Sequence, residues 1–154
     1  MPARIDILAV GSLTRDLAAA FDHYRRLLGN RAVLTVREVR EVSLRARSEA
    51  EVLREEGRRL LAALPPGGVA VALAIDGRSY TSTAFATRLQ HWFGEGGVVF
   101  VVGGSLGLPP EVEARCRERL SLSAMTLPHQ LARVVLMEQL FRALKITAGE
   151  SYHH

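Results

Sequence analysis

Short runs of β-branched and other apolar residues alternate along the chain with longer segments whose apolar positions recur at helical spacing. That pattern predicts an α/β fold, a mostly parallel sheet with helices on both faces. Ile5 to Val10 reads as a first strand, and Gly11-Ser12 turns the chain into a helix over 14–28 that Gly29-Asn30 ends. Val33 to Val39 supplies a second strand. Ser48 to Leu64 reads as a helix, because Ser48-Glu49-Ala50-Glu51 has the form of a capping box and Pro65-Pro66-Gly67-Gly68 closes it. The runs 69-VAVALAI-75 and 98-VVFVV-102 are apolar on both faces, as central strands are, and residues 81–93 form a helix between them. The first run leads into a turn at Asp76-Gly77; the second ends in 103-GGSLG-107, before Pro109-Pro110 opens another helix. Ligands of such sheets bind beyond the carboxyl ends of the strands.

Composition bounds the answer further. The 154 residues suffice for one domain, 1–154, that buries about two thirds of its unfolded surface without metal or disulfide staples. With 48% hydrophobic and 23% charged residues, and no apolar run near bilayer length, the chain reads as soluble, without a membrane partner. Its start lacks the basic region and cleavage site of a signal peptide, so a cytoplasmic location is expected. No Cys/His spacing resembles a metal site, and Cys116, between Arg115 and Arg117, reads as a spectator thiol on a charged helix. The net charge is +4, and Lys145 is the only lysine among 20 basic residues, so 19 are arginine. Arginine forks match phosphate geometry, which permits a nucleic-acid partner, whereas 6% aromatics with no basic interleaving disfavour a simple RNA-recognition sheet. The turn 103-GGSLG-107 is neither the dinucleotide fingerprint nor a phosphate loop with its lysine, so NAD and ATP lose ground.

The C-terminal third is more specific. The glycine turn 103-GGSLG-107, the segment 121-SLSAMTLPH-129, the helix with Arg133, Glu138, Gln139 and Arg142, and the ending Tyr152-His153 together resemble one family over essentially the whole length. It is that of the SPOUT-superfamily methyltransferases that methylate N3 of a pseudouridine in large-subunit (23S) ribosomal RNA. The resemblance implies a C-terminal trefoil knot, which ordinary topology rules would argue against. It implies a homodimer acting on ribosomal RNA in assembled ribosomes, with S-adenosyl-L-methionine as cofactor and no metal. The cofactor-binding positions carried over are Leu73, Gly103, Gly104, Gly107, Leu122, Ser123, Ala124, Met125, Thr126 and Leu127. Small residues there are expected to leave room for an adenine, and backbone groups of 122–127 to bond its edge.

The catalytic or nucleotide-binding candidates are His153, Tyr152, His129 and Arg142. N3 of pseudouridine is a poor nucleophile until its proton leaves, so His153 or His129 is a candidate base, while Arg142, Arg133 or the tyrosine hydroxyl would stabilise charge on the base oxygens. His129 and Arg133, one helical turn apart, are both expected to face the cofactor cleft. The apolar series Leu131, Val134, Val135, Leu140 and Leu144 reads as a packing stripe, part of it against the partner subunit. His154 departs from the family, whose members often carry lysine or arginine there, which weakens a terminal phosphate contact. A cofactor- or RNA-binding protein without catalysis is the competing class; it would need the same glycine turn but not the terminal Tyr152-His153.

Overall fold

Each helix expected from the pattern forms, and local chemistry explains its ends. In this computed structural model, which describes residues 3–152, α1 spans Arg15–Leu28 and stops at Gly29, whose φ of +54° suits glycine. The helix α2 (Glu49–Ala63) starts from Ser48, whose hydroxyl accepts from the Glu51 amide while the Glu51 carboxylate accepts from the Ser48 amide, the reciprocal capping box. Thr81 caps α3 (Ser82–Gly94) one way only, its Oγ1 accepting from the Ala84 amide. Pro109 precedes the single-turn α4 (Pro110–Glu113), and Pro128 precedes α5 (His129–Thr147).

Five strands, β1 (Arg4–Val10), β2 (Val33–Val39), β3 (Val69–Ser79), β4 (Val98–Val102) and β5 (Glu118–Ser121), make one all-parallel sheet in the order β2-β1-β4-β3-β5. The central β1 and β4 are buried throughout their apolar lengths because both faces are covered. Ile5, Ile7 and Ala9 point to one side, where Phe21, Phe85, Leu89, Trp92 and the residues of α5 complete the larger core. Leu8, Val10, Val99 and Val101 point to the other, against Leu60 of α2 and Val112 of α4. Helices on both faces are therefore observed.

Two features differ from the sequence expectation. Asp76-Gly77 does not end β3; residues 74–77 bulge out, so that Leu73 and Arg78 both pair with Leu120 and the strand resumes to Ser79. Gly77 permits this, since a Cβ there would lie 2.6 Å from the Arg119 carbonyl carbon. The second feature is β5 itself, four residues at the sheet edge with no apolar run to announce them. It is tied to α3 by one carboxylate: Glu118 accepts from Tyr80 Oη (2.8 Å), Trp92 Nε1 (3.1 Å) and Arg88. Burial disfavours its charge, but these donors outweigh burial and hold the carboxyl below its usual range.

Candidate cofactor cleft

The carboxyl ends of β3, β4 and β5 open into a cleft of about 690 Å³, within the usual range for small-molecule sites. Leu73, the 103–107 turn, the 122–127 loop and His129 converge on it. The 103–107 turn closes on itself: Gly104 bridges Gly107, whose amide donates to the Gly104 carbonyl at 3.0 Å and whose φ is +80°. A Cβ on Gly103 would lie 2.4 Å from the Gly107 carbonyl, and one on Gly104 would meet Val10 and Glu56. Gly103 therefore lets backbone approach backbone, and Gly104 lets the turn pack against the Val10 and Glu56 side chains.

The 122–127 loop is shaped by its serines. Ser121 Oγ donates to the Ser123 carbonyl (2.9 Å), and Ser123 Oγ accepts from the Met125 amide (2.9 Å), a side-chain turn that leaves other backbone groups of the loop free for a ligand. Met125 stands exposed at the cleft mouth, whereas Ala124, though in the loop, does not line the cleft. His129 begins α5 half-buried against the cleft.

Arg133 does not join it. One turn further on, it is 1% exposed, pairs with Glu38 and donates to the Gly11 carbonyl at 2.9 Å. It ties α5 to the ends of β1 and β2. Arg142 and Tyr152 are also brought together, but elsewhere. Tyr152 Oη donates to Glu138 (2.9 Å), the Arg142 guanidinium pairs with Glu138 (2.7 Å) and stacks 4.1 Å from the Tyr152 ring centroid, and Phe141 meets that ring edge-on. Burial, then the Glu138 hydrogen bond, raises the Tyr152 pKa. Thirteen residues of helix separate His129 from Arg142, roughly 20 Å at 1.5 Å per residue, so this cluster and the cleft stand apart in one chain. His153 and His154 lie outside the described residues.

Sequence reasoning missed a charged rim. Ala74, Ile75 and Asp76 line the cleft because the β3 bulge projects over it, and Glu113 lines it from α4. Arg119 joins the two acids, 2.9 Å from Asp76 and 3.4 Å from Glu113. Asp76-Gly77 is visible in the sequence as turn chemistry, but only the β3–β5 pairing puts it over the strand ends. Cys116 does not stand on a helix, since α4 ends at Glu113; burial pushes its thiol pKa up to about 11, and Sγ donates to the Val112 carbonyl. Among the described residues no cluster of His, Cys, Asp and Glu can hold a metal ion, and no helix is long and apolar enough to cross a membrane.

Sheet and cleft define the class: an α/β protein with a cleft built from glycine- and serine-bearing loops beyond the ends of parallel strands. The family model described as Predicted SPOUT methyltransferase matches residues 3–153. The chain belongs to the SPOUT methyltransferase family. It is 46% identical to the ribosomal RNA large subunit methyltransferase H of Rubrobacter xylanophilus over 99% of each chain. It is 44% identical to the protein of the same name from Bifidobacterium animalis subsp. lactis, over 97% of this chain and 98% of that one. Among solved structures, a probable methyltransferase from Bordetella pertussis superposes with a TM-score of 0.59 at 17% identity, covering 92% of this chain and 95% of the other. The SpoU methyltransferase AviRb of Streptomyces viridochromogenes, in complex with AdoMet, superposes at 0.52 and 16% identity, covering 98% of this chain and 60% of AviRb. These two likenesses concern the fold.

Proposed function

We propose that this protein is an S-adenosylmethionine-dependent methyltransferase that methylates N3 of a pseudouridine in large-subunit ribosomal RNA, on assembled ribosomes and in the cytoplasm. The observation that carries the reading is the convergence of the 103–107 turn, the 122–127 loop, Leu73 and His129 in one cleft. Names of relatives at 44% and 46% identity over nearly the full length support the ribosomal RNA substrate. S-adenosylmethionine fits the residues present: the cleft has apolar walls in Leu73, Leu106, Leu120 and Leu122, and loop backbone for an adenine edge.

When bound, the cofactor supplies a methyl group already activated for transfer. The chain's own work is positioning and proton removal. Leu73 and the two loops hold the ligand and exclude water from its apolar side. His129 lines the cleft, which supports it as the group that takes the N3 proton or orients the base. Tyr152 and Arg142 are too distant to act on the cleft of their own chain, which supports a homodimer in which one subunit's chain end completes its partner's site. The half-buried positions Leu131, Val135, Glu138 and Arg142 form one stripe along α5, the part its own core leaves for a partner. The trefoil knot belongs to the same reading. It is supported by the chain's path, which leaves the sheet at edge strand β5, returns over the strand ends and buries α5 against α1 and α3.

The test is to incubate the protein with labelled S-adenosylmethionine and ribosomes lacking the modification, then locate the label. Label at N3 of a large-subunit pseudouridine is the expected result. Cofactor binding with no transfer to any ribosomal substrate would favour the non-catalytic class.

A further inference from the structure

The end of β2 and its connection to α2 carry charge that the cleft does not use. From 37 to 47 the chain reads REVREVSLRAR, with arginines at 37, 40, 45 and 47 and acids only at 38 and 41. Glu38 is already paired with Arg133. All four arginines are exposed; Arg47 lies within electrostatic reach of Glu51, and Arg37, Arg40 and Arg45 have no carboxylate partner among the described residues.

A loop with so little apolar content would ordinarily be loosely held, but this one is fastened at several points. The Gly11 amide donates to the Val39 carbonyl (2.8 Å), Arg59 Nη1 to the Arg40 carbonyl (2.8 Å), and the Val42 amide to Glu56 Oε2 (2.9 Å). Glu56 is the informative one. It is 4% exposed, its Oε1 has no hydrogen-bond partner, and a methyl group placed on Gly104 would stand 3.2 Å from that oxygen. One buried carboxylate thus stands between the arginine segment and the glycine turn of the cleft. A polar depression of about 470 Å³, lined by Gly11, Ser12, Glu38, Val39, Arg40 and Glu41, opens beside it beyond the ends of β1 and β2. Since all strands are parallel, this is the edge of the sheet on which the cleft also opens.

We propose that segment 37–47 is a phosphate-binding surface that holds the RNA strand flanking the target nucleotide, with Glu56 positioning it relative to the 103–107 turn. The proposal rests on the methyltransferase reading above. Exposed guanidinium groups meet phosphate oxygens two at a time without a large desolvation cost, and such contacts set register without reading sequence. RNA is favoured over an acidic protein because the segment lies one side chain from the turn against which the target nucleotide would receive its methyl group.

The experiment compares wild type with the Arg40→Ala/Arg45→Ala/Arg47→Ala variant, using large ribosomal subunits lacking the modification and labelled S-adenosylmethionine. The variant should show a KM for subunits raised at least about tenfold, kcat within about threefold, and unchanged cofactor affinity. The slope of log kcat/KM against log salt should flatten by roughly one for each phosphate that the variant no longer neutralises. Lysine at the same three positions should recover part of the KM. Glu56→Leu should raise KM for both subunits and cofactor, and Glu56→Gln, which keeps an acceptor for the Val42 amide, should restore both. An active wild type with unchanged KM and salt slope in the alanine variant overturns this proposal alone. A variant that binds deproteinised ribosomal RNA as wild type does, yet fails to bind intact subunits, assigns the surface to a ribosomal protein and overturns it too. A wild type that methylates no ribosomal RNA removes the underlying reading and this proposal with it.

Discussion

Gly103 shows how a single hydrogen in place of a side chain sustains a site. Its Cβ position is occupied by Gly107 backbone, so Gly103→Ala cannot be absorbed by a flexible neighbour and must open the turn. Calorimetry on the folded variant should find cofactor affinity reduced at least about tenfold, with a smaller change in thermal stability, because the turn lies beyond the end of β4 and not within the core. Arg133 works in the opposite way, through what it ties together. Arg133→Met leaves Glu38 and two strand-end carbonyls without their donor; Glu38 can rehydrate, so the loss in urea unfolding should be about 2–3 kcal/mol and not the larger penalty of a fully buried orphan charge. Glu150 supplies a pH-dependent contact. Hydrogen bonds from Arg31 and Lys145 lower its pKa from 4.5 to about 2. A depressed carboxyl stabilises the fold above its ordinary pKa and loses that contribution as pH falls, here between about 4.5 and about 2. NMR should see the Arg31 and Lys145 contacts to the chain end released across that window, and released at higher pH when salt is raised.

At the scale of elements, the β3 bulge and β5 depend on each other. The bulge brings Asp76 over the cleft only because Gly77 lets the chain pass against Arg119, so Gly77→Ala should disturb the β3–β5 ladder as well as the bulge. Hydrogen exchange should report it as faster exchange at Leu120 and Ser121, with β1 and β4 unchanged. The chain end is separable in the other sense. Truncation after Ser151 removes nothing that lines the cleft, so cofactor affinity should stay near wild type while methyl transfer falls by tenfold to a thousandfold, the range of general-base and orientation effects. Equal rates for the two proteins would refute the role given to Tyr152 and His153.

For the whole molecule, the separation of roughly 20 Å between His129 and Arg142 in one chain makes association a requirement of the proposed chemistry. Scattering should return twice 16.9 kDa. Mixing subunits truncated after Ser151 with subunits carrying Gly103→Ala should restore activity to about a quarter of wild type, because half the dimers are then mixed and each has one intact composite site. No recovery on mixing would mean that each chain end serves its own cleft.

What the sequence by itself determined is local or repetitive. The helix ends at Ser48, Thr81 and Gly29 follow from hydrogen bonds and φ angles that a few adjacent residues satisfy alone, and the unbroken apolar run of β4 required burial on both faces. Glycines following the apolar run of β4 marked the 103–107 turn as a candidate, whereas the 122–127 loop was marked only by the resemblance to the family. Tertiary structure decided the rest. β5 is too short and too polar to signal a strand, and it exists because Leu73 and Arg78 both find Leu120 and because Glu118 gathers Tyr80, Arg88 and Trp92 from another part of the chain. His129 and Arg133 look equivalent by spacing, yet one lines the cleft and the other is buried against Glu38, because the partners that divide them come from strands more than ninety residues earlier. Helical spacing states which residues share a side; what stands on that side is set by packing across the whole chain.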